Sequence, residues 1–152
     1  MGGVIINNYS SENRGTFQNT EYAEQLVYFD GMRFEGENGV NDVTPTDIDG
    51  LIQLTRENCF IFFELKHSGS VPYGQKMALE KLCDGLEAGG VNSVAIVAIH
   101  NTPQQEPIIA RDAKVEKVYW KGEWKLCKGN PPLLWTIQKY IEKIRELKTD
   151  ER

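Results

Sequence analysis

Cysteine and histidine are scarce in this chain, and their spacing argues against the metal sites that they usually form. The 152 residues contain three cysteines, Cys59, Cys83 and Cys127, and two histidines, His67 and His100. No pair has the close spacing of a zinc motif, and three widely separated cysteines do not suggest a disulfide framework. We therefore expect reduced thiols in or near a hydrophobic core.

Long apolar runs are also missing. The longest, near residues 94–99, is far below the roughly 18 residues that a membrane-spanning helix needs. The first 14 residues are polar and lack the apolar segment of a signal peptide. The sequence thus predicts a cytoplasmic protein with no membrane partner. An apolar content of 40% suits a globular chain, which we expect to form a single domain over residues 1–152.

Positive charge is scarce in the first two thirds of the chain. Residues 1–110 hold 6 Lys and Arg against 15 Asp and Glu, whereas residues 111–148 hold 10 against 5. This asymmetry suits an acidic metal centre beside a basic surface that contacts phosphate. A solvated, lysine-rich hairpin and helix would have the same composition.

Hydrophobic periodicity predicts an α/β arrangement. The N-terminal third is expected to comprise a loose lead-in over residues 1–16, a helix over 18–29, and a loop or irregular hairpin over 31–46. Further elements are predicted as strands over 46–54, 59–65 and 93–99, helices over 74–87 and 133–147, a hairpin over 115–120 and 123–127, and a frayed tail over 149–152. The first two of these strands should pair antiparallel, and the helical crossover should make the third strand parallel to the second.

Polar residues stand at the ends of the two strands predicted to form a hairpin. Asp47 and Asp49 lie at the start of the first strand, and Glu64 and Lys66 lie at the end of the second. Residues two apart on a strand share a face, so Glu64 and Lys66 should project together, with an aspartate beside them. Carboxylates bind Mg²⁺ or Mn²⁺, and a lysine can orient or deprotonate a water. The spacing predicts phosphodiester hydrolysis but leaves open which aspartate is the ligand.

Other residues are weaker candidates. Glu24 in the predicted first helix is either a third site acid or a solvent-exposed residue. Gln75 is either a contact to the lysine, a water or a DNA backbone, or an ordinary residue at a helix start. His67 and His100 follow strands and are interpreted as structural or solvated, with a phosphate contact as the alternative for His67.

The C-terminal hairpin interleaves lysines with aromatic residues. Tyr119, Trp120 and Trp124 alternate with Lys117, Lys121 and Lys125. Such a pattern can bind nucleic acid through stacking and charge. An aromatic face on a hairpin is more often part of a core or a dimer contact, and that is the interpretation we favour.

The acids, the lysine and the following glutamine resemble a known motif. Asp49, Glu64-Leu65-Lys66 and Gln75 resemble the PD-(D/E)XK nuclease motif, and the order of elements over residues 18–99 is similar to that superfamily, particularly to its small phage-type members. The resemblance implies a restriction-endonuclease-like core, in which helices flank a mixed central β-sheet. Here the C-terminal hairpin and helix would follow that core.

The resemblance also implies the composition of the site. The expected metal ligands for Mg²⁺ or Mn²⁺ are Asp49, Glu64 and the backbone carbonyl of Leu65, with Asp47 as a further candidate. The expected catalytic set is Asp49, Glu64, Lys66, Gln75 and a helical glutamate, for which Glu24 fits better than Glu21.

The implied function is metal-dependent cleavage of DNA. We expect a structure-selective endonuclease of the junction-resolving, repair or recombination type, acting as a homodimer. One alternative is a catalytically silent module of the same fold that binds DNA or a protein partner in a phage or mobile-element context. Another is an unrelated α/β binding protein in which the Glu-x-Lys pattern is accidental.

Overall fold

The structure is a computed structural model. It describes the backbone of residues 5–8, 16–19, 33–36 and 39–42, together with residues 46–68 and 71–151. The chain forms two compact units, Met1–Pro45 and Thr46–Arg152, and each unit is described by itself. The expectation of one nuclease domain over residues 1–152 stays a prediction.

The described residues of the first unit form two short antiparallel hairpins. β1 (Ile5–Asn8) pairs with β2 (Thr16–Asn19), and β3 (Arg33–Gly36) pairs with β4 (Gly39–Asp42). The second hairpin lies where the sequence predicted a loop or an irregular hairpin.

Two predictions for this unit are wrong in part. The lead-in expected to be loose contains β1, and the helix expected from residue 18 begins inside β2. Ile5, Ile6, Thr16 and Phe17 are β-branched or aromatic residues that favour a strand. The rest of the predicted helix, with Glu21 and Glu24, lies outside the described residues.

The second unit is a five-stranded mixed sheet with two long helices, which confirms the α/β class. The strands stand in the order β5-β6-β7-β8-β9, and the β6–β7 pair alone is parallel, as predicted. In chain order the elements are β5 (Gly50–Leu54), β6 (Cys59–Lys66), α1 (Tyr73–Ala88), β7 (Asn92–Ile99), a 3₁₀ turn (Ala110–Asp112), β8 (Lys114–Trp120), β9 (Glu123–Leu126) and α2 (Leu133–Asp150). Among the described residues, neither long helix is both long and apolar enough to cross a bilayer.

The helices cover opposite faces of this sheet. Residues on β6 alternate between faces, so Ile61 packs with Tyr140 and Ile144 of α2, whereas Phe62 packs with Leu79 and Cys83 of α1. Both faces of β6 and β7 are therefore covered, which explains their nearly continuous apolar sequences.

Hydrogen bonds tie α1 to the C-terminal hairpin. The Tyr119 hydroxyl donates to Asp84 at 2.8 Å, and the Trp124 indole N–H donates to Glu80 at 2.6 Å. Both aromatic residues belong to the core on the α1 face. Their position agrees with the core interpretation of the hairpin aromatics.

The start of one strand and the end of one helix differ from the predicted boundaries. The strand predicted to start at residue 46 starts at Gly50, so Asp47 is not part of it. The tail predicted to fray continues as helix to Asp150, where the Thr149 hydroxyl donates to the Arg145 carbonyl and the Lys148 amine donates to the Arg56 carbonyl. These contacts stabilise the last helical turn.

The Phe63 ring, across the hairpin from Gly50, leaves no room for a side chain at that position. Gly50 pairs with Phe63, and a Cβ placed on Gly50 would lie 1.9 Å from the Phe63 ring. We predict that Gly50→Ala forces this ring out of its place against the core and lowers the free energy of unfolding by about 1–3 kcal/mol.

Urea unfolding would measure this change. Gly85→Ala is the matched control, because Gly85 lies within α1 with no atom near the added methyl group, and it should stabilise by about 0.5–1 kcal/mol. A neutral Gly50→Ala would show that the ring does not need this space.

Candidate metal centre

Glu64 is a buried carboxylate near the end of a central strand. It lies on β6 between β5 and β7, on the face that α1 covers, and its exposed fraction is 1%. Its Oε2 lies 3.7 Å from the Lys66 amine, which confirms that Glu64 and Lys66 project together. Its Oε1 has no hydrogen-bond partner among the described residues. A buried carboxylate oxygen without a partner is costly and calls for a cation or a donor.

A hydrogen bond to the backbone of β6 holds the Asp49 carboxylate beside Glu64. Its Oδ2 accepts a hydrogen bond from the Leu65 N–H at 2.6 Å. Gly50 pairs with Phe63, so the register places Asp49 opposite Glu64 on the same face of the sheet. The N–H and C=O of one strand residue point to the same side of the strand, so the Leu65 carbonyl also faces the Asp49 side.

The surroundings of the Glu64 carboxyl group make it harder to ionise. The pKa of Glu64 is raised to about 7, first by burial and then by the negative charge of Asp49. The Lys66 amine acts in the opposite direction but does not compensate. A divalent cation at this point would supply the missing positive charge.

Gln75 connects α1 to the segment before Asp49. It is the third residue of the helix, is buried, and donates from Nε2 to the backbone carbonyl of Asp47 at 3.1 Å. Its Oε1 is buried without a partner among the described residues. The glutamine therefore positions the chain before Asp49 and keeps one amide oxygen available.

Asp47 takes a different place from Asp49. Because β5 starts at Gly50, the expectation that both aspartates share a strand face is wrong. Both aspartates are exposed, but the atom that Asp47 contributes to the packing is its backbone carbonyl. Asp49 is the aspartate whose carboxylate lies beside Glu64.

These oxygens fit a hard divalent cation. The Asp49 and Glu64 carboxylates, with the Leu65 carbonyl on the same side, are of the type that Mg²⁺ and Mn²⁺ prefer. Within residues 46–68 and 71–151, no three His, Cys, Asp or Glu residues gather into a group able to hold a metal. Further ligands from the described part would thus be backbone or amide oxygens or water. Glu24, the predicted third acid, lies outside the described residues.

The two histidines form a pair that the sequence interpretation did not foresee. The His67 and His100 rings meet edge to face with centroids 5.5 Å apart. Each histidine directly follows one of two parallel strands of equal length, and that register was the signal that could have paired them.

The lysines of the C-terminal hairpin lie over its aromatic rings. The Lys117 amine is 4.9 Å from the centre of the Trp124 ring, and the Lys121 and Lys125 amines lie 5.8 and 5.9 Å from the centre of Trp120. Lys121 and Lys125 also pair with Glu87 and Glu123, each at 3.1 Å. The cations stay at the surface while the rings pack inward.

Comparisons of the chain with protein-family models, with curated proteins and with solved structures find no match. The resemblance to the PD-(D/E)XK superfamily therefore stays a prediction from the motif.

The raised pKa of Glu64 predicts a dependence of stability on pH. The unfolded chain releases this proton near pH 4.5, whereas the folded state holds it to about pH 7, so folding should weaken as the pH rises between these values. Without divalent metal, this ionisation should lower the free energy of unfolding of the parent protein by at most about 3 kcal/mol. The Glu64→Gln variant should not show this decrease.

Urea titrations at pH 5 and pH 8 in the presence of a chelator would test this. Glu142→Gln, an exposed acid on α2, is the control and should keep the pH dependence of the parent protein. A Glu64→Gln variant with an unchanged pH dependence would show that Glu64 does not titrate in this range.

Proposed function

We propose that this chain is a metal-dependent endonuclease that hydrolyses phosphodiester bonds in DNA. The observation that carries the proposal is the Glu64 carboxylate, which is buried beside Asp49. One of its oxygens has no hydrogen-bond partner among the described residues, and the Lys66 amine lies 3.7 Å from the other. A carboxylate pair with an adjacent lysine is suited to a reaction in which water attacks a phosphate.

Mg²⁺ or Mn²⁺ would be held by Asp49, Glu64 and the Leu65 carbonyl. When bound there, the ion supplies Lewis acidity toward a phosphate oxygen and a water. Burial of Glu64 and the strand register hold the ligands before the ion arrives, so little rearrangement is needed. Glu24 is retained as a third acid in this proposal, whereas Asp47 contributes its backbone carbonyl, which accepts from Gln75.

Lys66 has the role closest to the reacting atoms. Its side chain is partly exposed, and its amine is near enough to Glu64 to be oriented by that carboxylate. From there it can hydrogen-bond the attacking water or stabilise the negative charge that develops on the phosphate. Gln75 assists by fixing the chain before Asp49, and its free amide oxygen can accept a hydrogen bond from a water.

The proposed substrate is DNA recognised by its structure. The surface lysines of the C-terminal hairpin support contact with a phosphate backbone, which carries no sequence information. A homodimer would let two sites reach both strands, and the proposed setting is cytoplasmic recombination or repair of a phage or mobile element. These last points depend on the family resemblance.

Metal binding can be tested without any reaction. At pH 8, Mg²⁺ at one hundred times its dissociation constant should raise the free energy of unfolding by about 2.7 kcal/mol. The Glu64→Gln variant should show little increase, and the Glu142→Gln control should respond as the parent does. An equal response of all three proteins would place the ion elsewhere.

Cleavage is the direct test of the activity. Branched, duplex and single-stranded DNA should be incubated with the protein in Mg²⁺ or Mn²⁺. Glu64→Ala and Lys66→Ala should each lower the rate by about 100-fold or more, because each removes a group acting on the reacting atoms. Lys81→Ala, which removes an exposed lysine of α1 outside the C-terminal hairpin, is the control for a simple loss of charge.

The outcomes separate the proposal from its alternative. A wild-type protein that cuts no DNA, or variants that cut as fast as the parent, would refute the enzyme. Binding of DNA without cleavage would favour the catalytically silent module. Glu24→Gln tests the third acid and should slow cleavage if that acid belongs to the site.

A further inference from the structure

A pocket opens where the two parallel strands end. His67 follows β6 and His100 follows β7, and the carboxyl ends of parallel strands are a common place for ligands in α/β sheets. The pocket has a volume of about 370 Å³, within the range of small-molecule sites. Its lining residues are the two histidines with Thr102, Pro103, Gln104, Gln105, Glu106 and Ile108.

A backbone hydrogen bond fixes the form of His100. Its Nδ1 accepts from the Thr102 N–H at 3.2 Å, so that nitrogen carries no proton. With Nδ1 acting as the acceptor, the ring N–H is on Nε2, which is a donor. A ring holding a metal through Nε2 would carry a proton on Nδ1, which would face the Thr102 N–H. The hydrogen bond therefore disfavours a metal and favours a ligand that accepts a hydrogen bond.

The remaining lining suits a neutral ligand. Glu106 carries negative charge, and the described residues of the lining include no lysine or arginine, so they would accommodate a phosphate poorly. Gln104 and Gln105 have amides that both donate and accept hydrogen bonds. Pro103 and Ile108 supply apolar surface. These groups fit a flat molecule with a polar edge.

The loop that forms this lining has an unfavourable backbone conformation. Gln105 has a φ of 73°, in the left-handed region that residues other than glycine seldom occupy. It lies within a turn closed by the Glu106 N–H, which donates to the Pro103 carbonyl at 3.2 Å. Backbone strain of this kind concentrates at ligand sites, because it fixes side chains in position.

The pocket lies at the same end of β6 as the candidate catalytic lysine. His67 directly follows Lys66, so the two side chains take opposite faces of the strand, and the Lys66 carbonyl accepts a hydrogen bond from the His100 N–H at 2.9 Å. We infer that this pocket binds one unstacked nucleobase of the substrate strand. The base would stack on an imidazole and hydrogen-bond through its edge to the His100 Nε2–H and the glutamine amides. This inference rests on the proposed function, and it would make the enzyme prefer DNA with an unpaired base.

The test compares DNA with and without that base. A branched DNA with a single-stranded arm is prepared as a series, each member having one abasic position in the arm. Affinities are measured by fluorescence anisotropy at constant salt in the Glu64→Gln background, so that the strand stays intact. One abasic position should weaken binding about tenfold, the size expected for the loss of one stacked base.

Pocket variants then locate the contact. His100→Ala and Gln104→Ala should each bind intact and abasic DNA almost equally, because no base contact remains to be lost. Gln104 is exposed and keeps the test valid if His100→Ala disturbs the loop. Asn101→Ala is the matched control, since Asn101 lines only the neighbouring pocket of about 460 Å³, and it should retain the tenfold difference.

Each outcome bears on the inference. The inference is supported if the abasic position no longer weakens binding in His100→Ala and Gln104→Ala but still weakens it in Asn101→Ala. An abasic series with uniform affinity overturns it, as does a difference that survives in both pocket variants. Cleavage by the wild-type protein is scored separately, so a base pocket that fails leaves the nuclease intact. Failure to bind any DNA would refute both proposals.

Discussion

The hydrogen bond from the Leu65 N–H to the Asp49 carboxylate is the contact on which the candidate site depends. It continues the β5–β6 ladder one step beyond Gly50, with a side-chain oxygen in place of a backbone carbonyl. β5 therefore begins directly after Asp49, and the pairing of β5 with β6 holds the Asp49 carboxylate beside Glu64. Burial in this position, followed by the negative charge of Asp49, raises the pKa of Glu64.

Much of the second unit could be predicted because its signals are periodic. The continuous apolar sequence of β6 and β7 indicated strands covered on both faces, and the crossover through α1 fixed their parallel pairing. Alternation along β6 also placed Glu64 and Lys66 on one face, which is a property of any strand. These inferences need only the spacing of residues along the chain.

The remainder depended on contacts that spacing does not encode. The start of β5 is set by a side chain that replaces a carbonyl, so the pattern alone extended the strand too far and left Asp47 and Asp49 equivalent. Gln75 was recognised by its place after the motif, but its partner is the backbone of Asp47. In the first unit, four-residue strands are too short for any period to show, which is why β1 and β2 were missed.

The position of β5 at the border of its sheet has a consequence for motion. Glu64 lies on a strand with neighbours on both sides, whereas β5 pairs within this sheet only with β6. Border strands open locally at a smaller free-energy cost than central ones. We therefore expect the Glu64 carboxylate to stay fixed and the Asp49 carboxylate, next to β5, to move. Binding and release of a ligand at this site would then follow the local opening of β5.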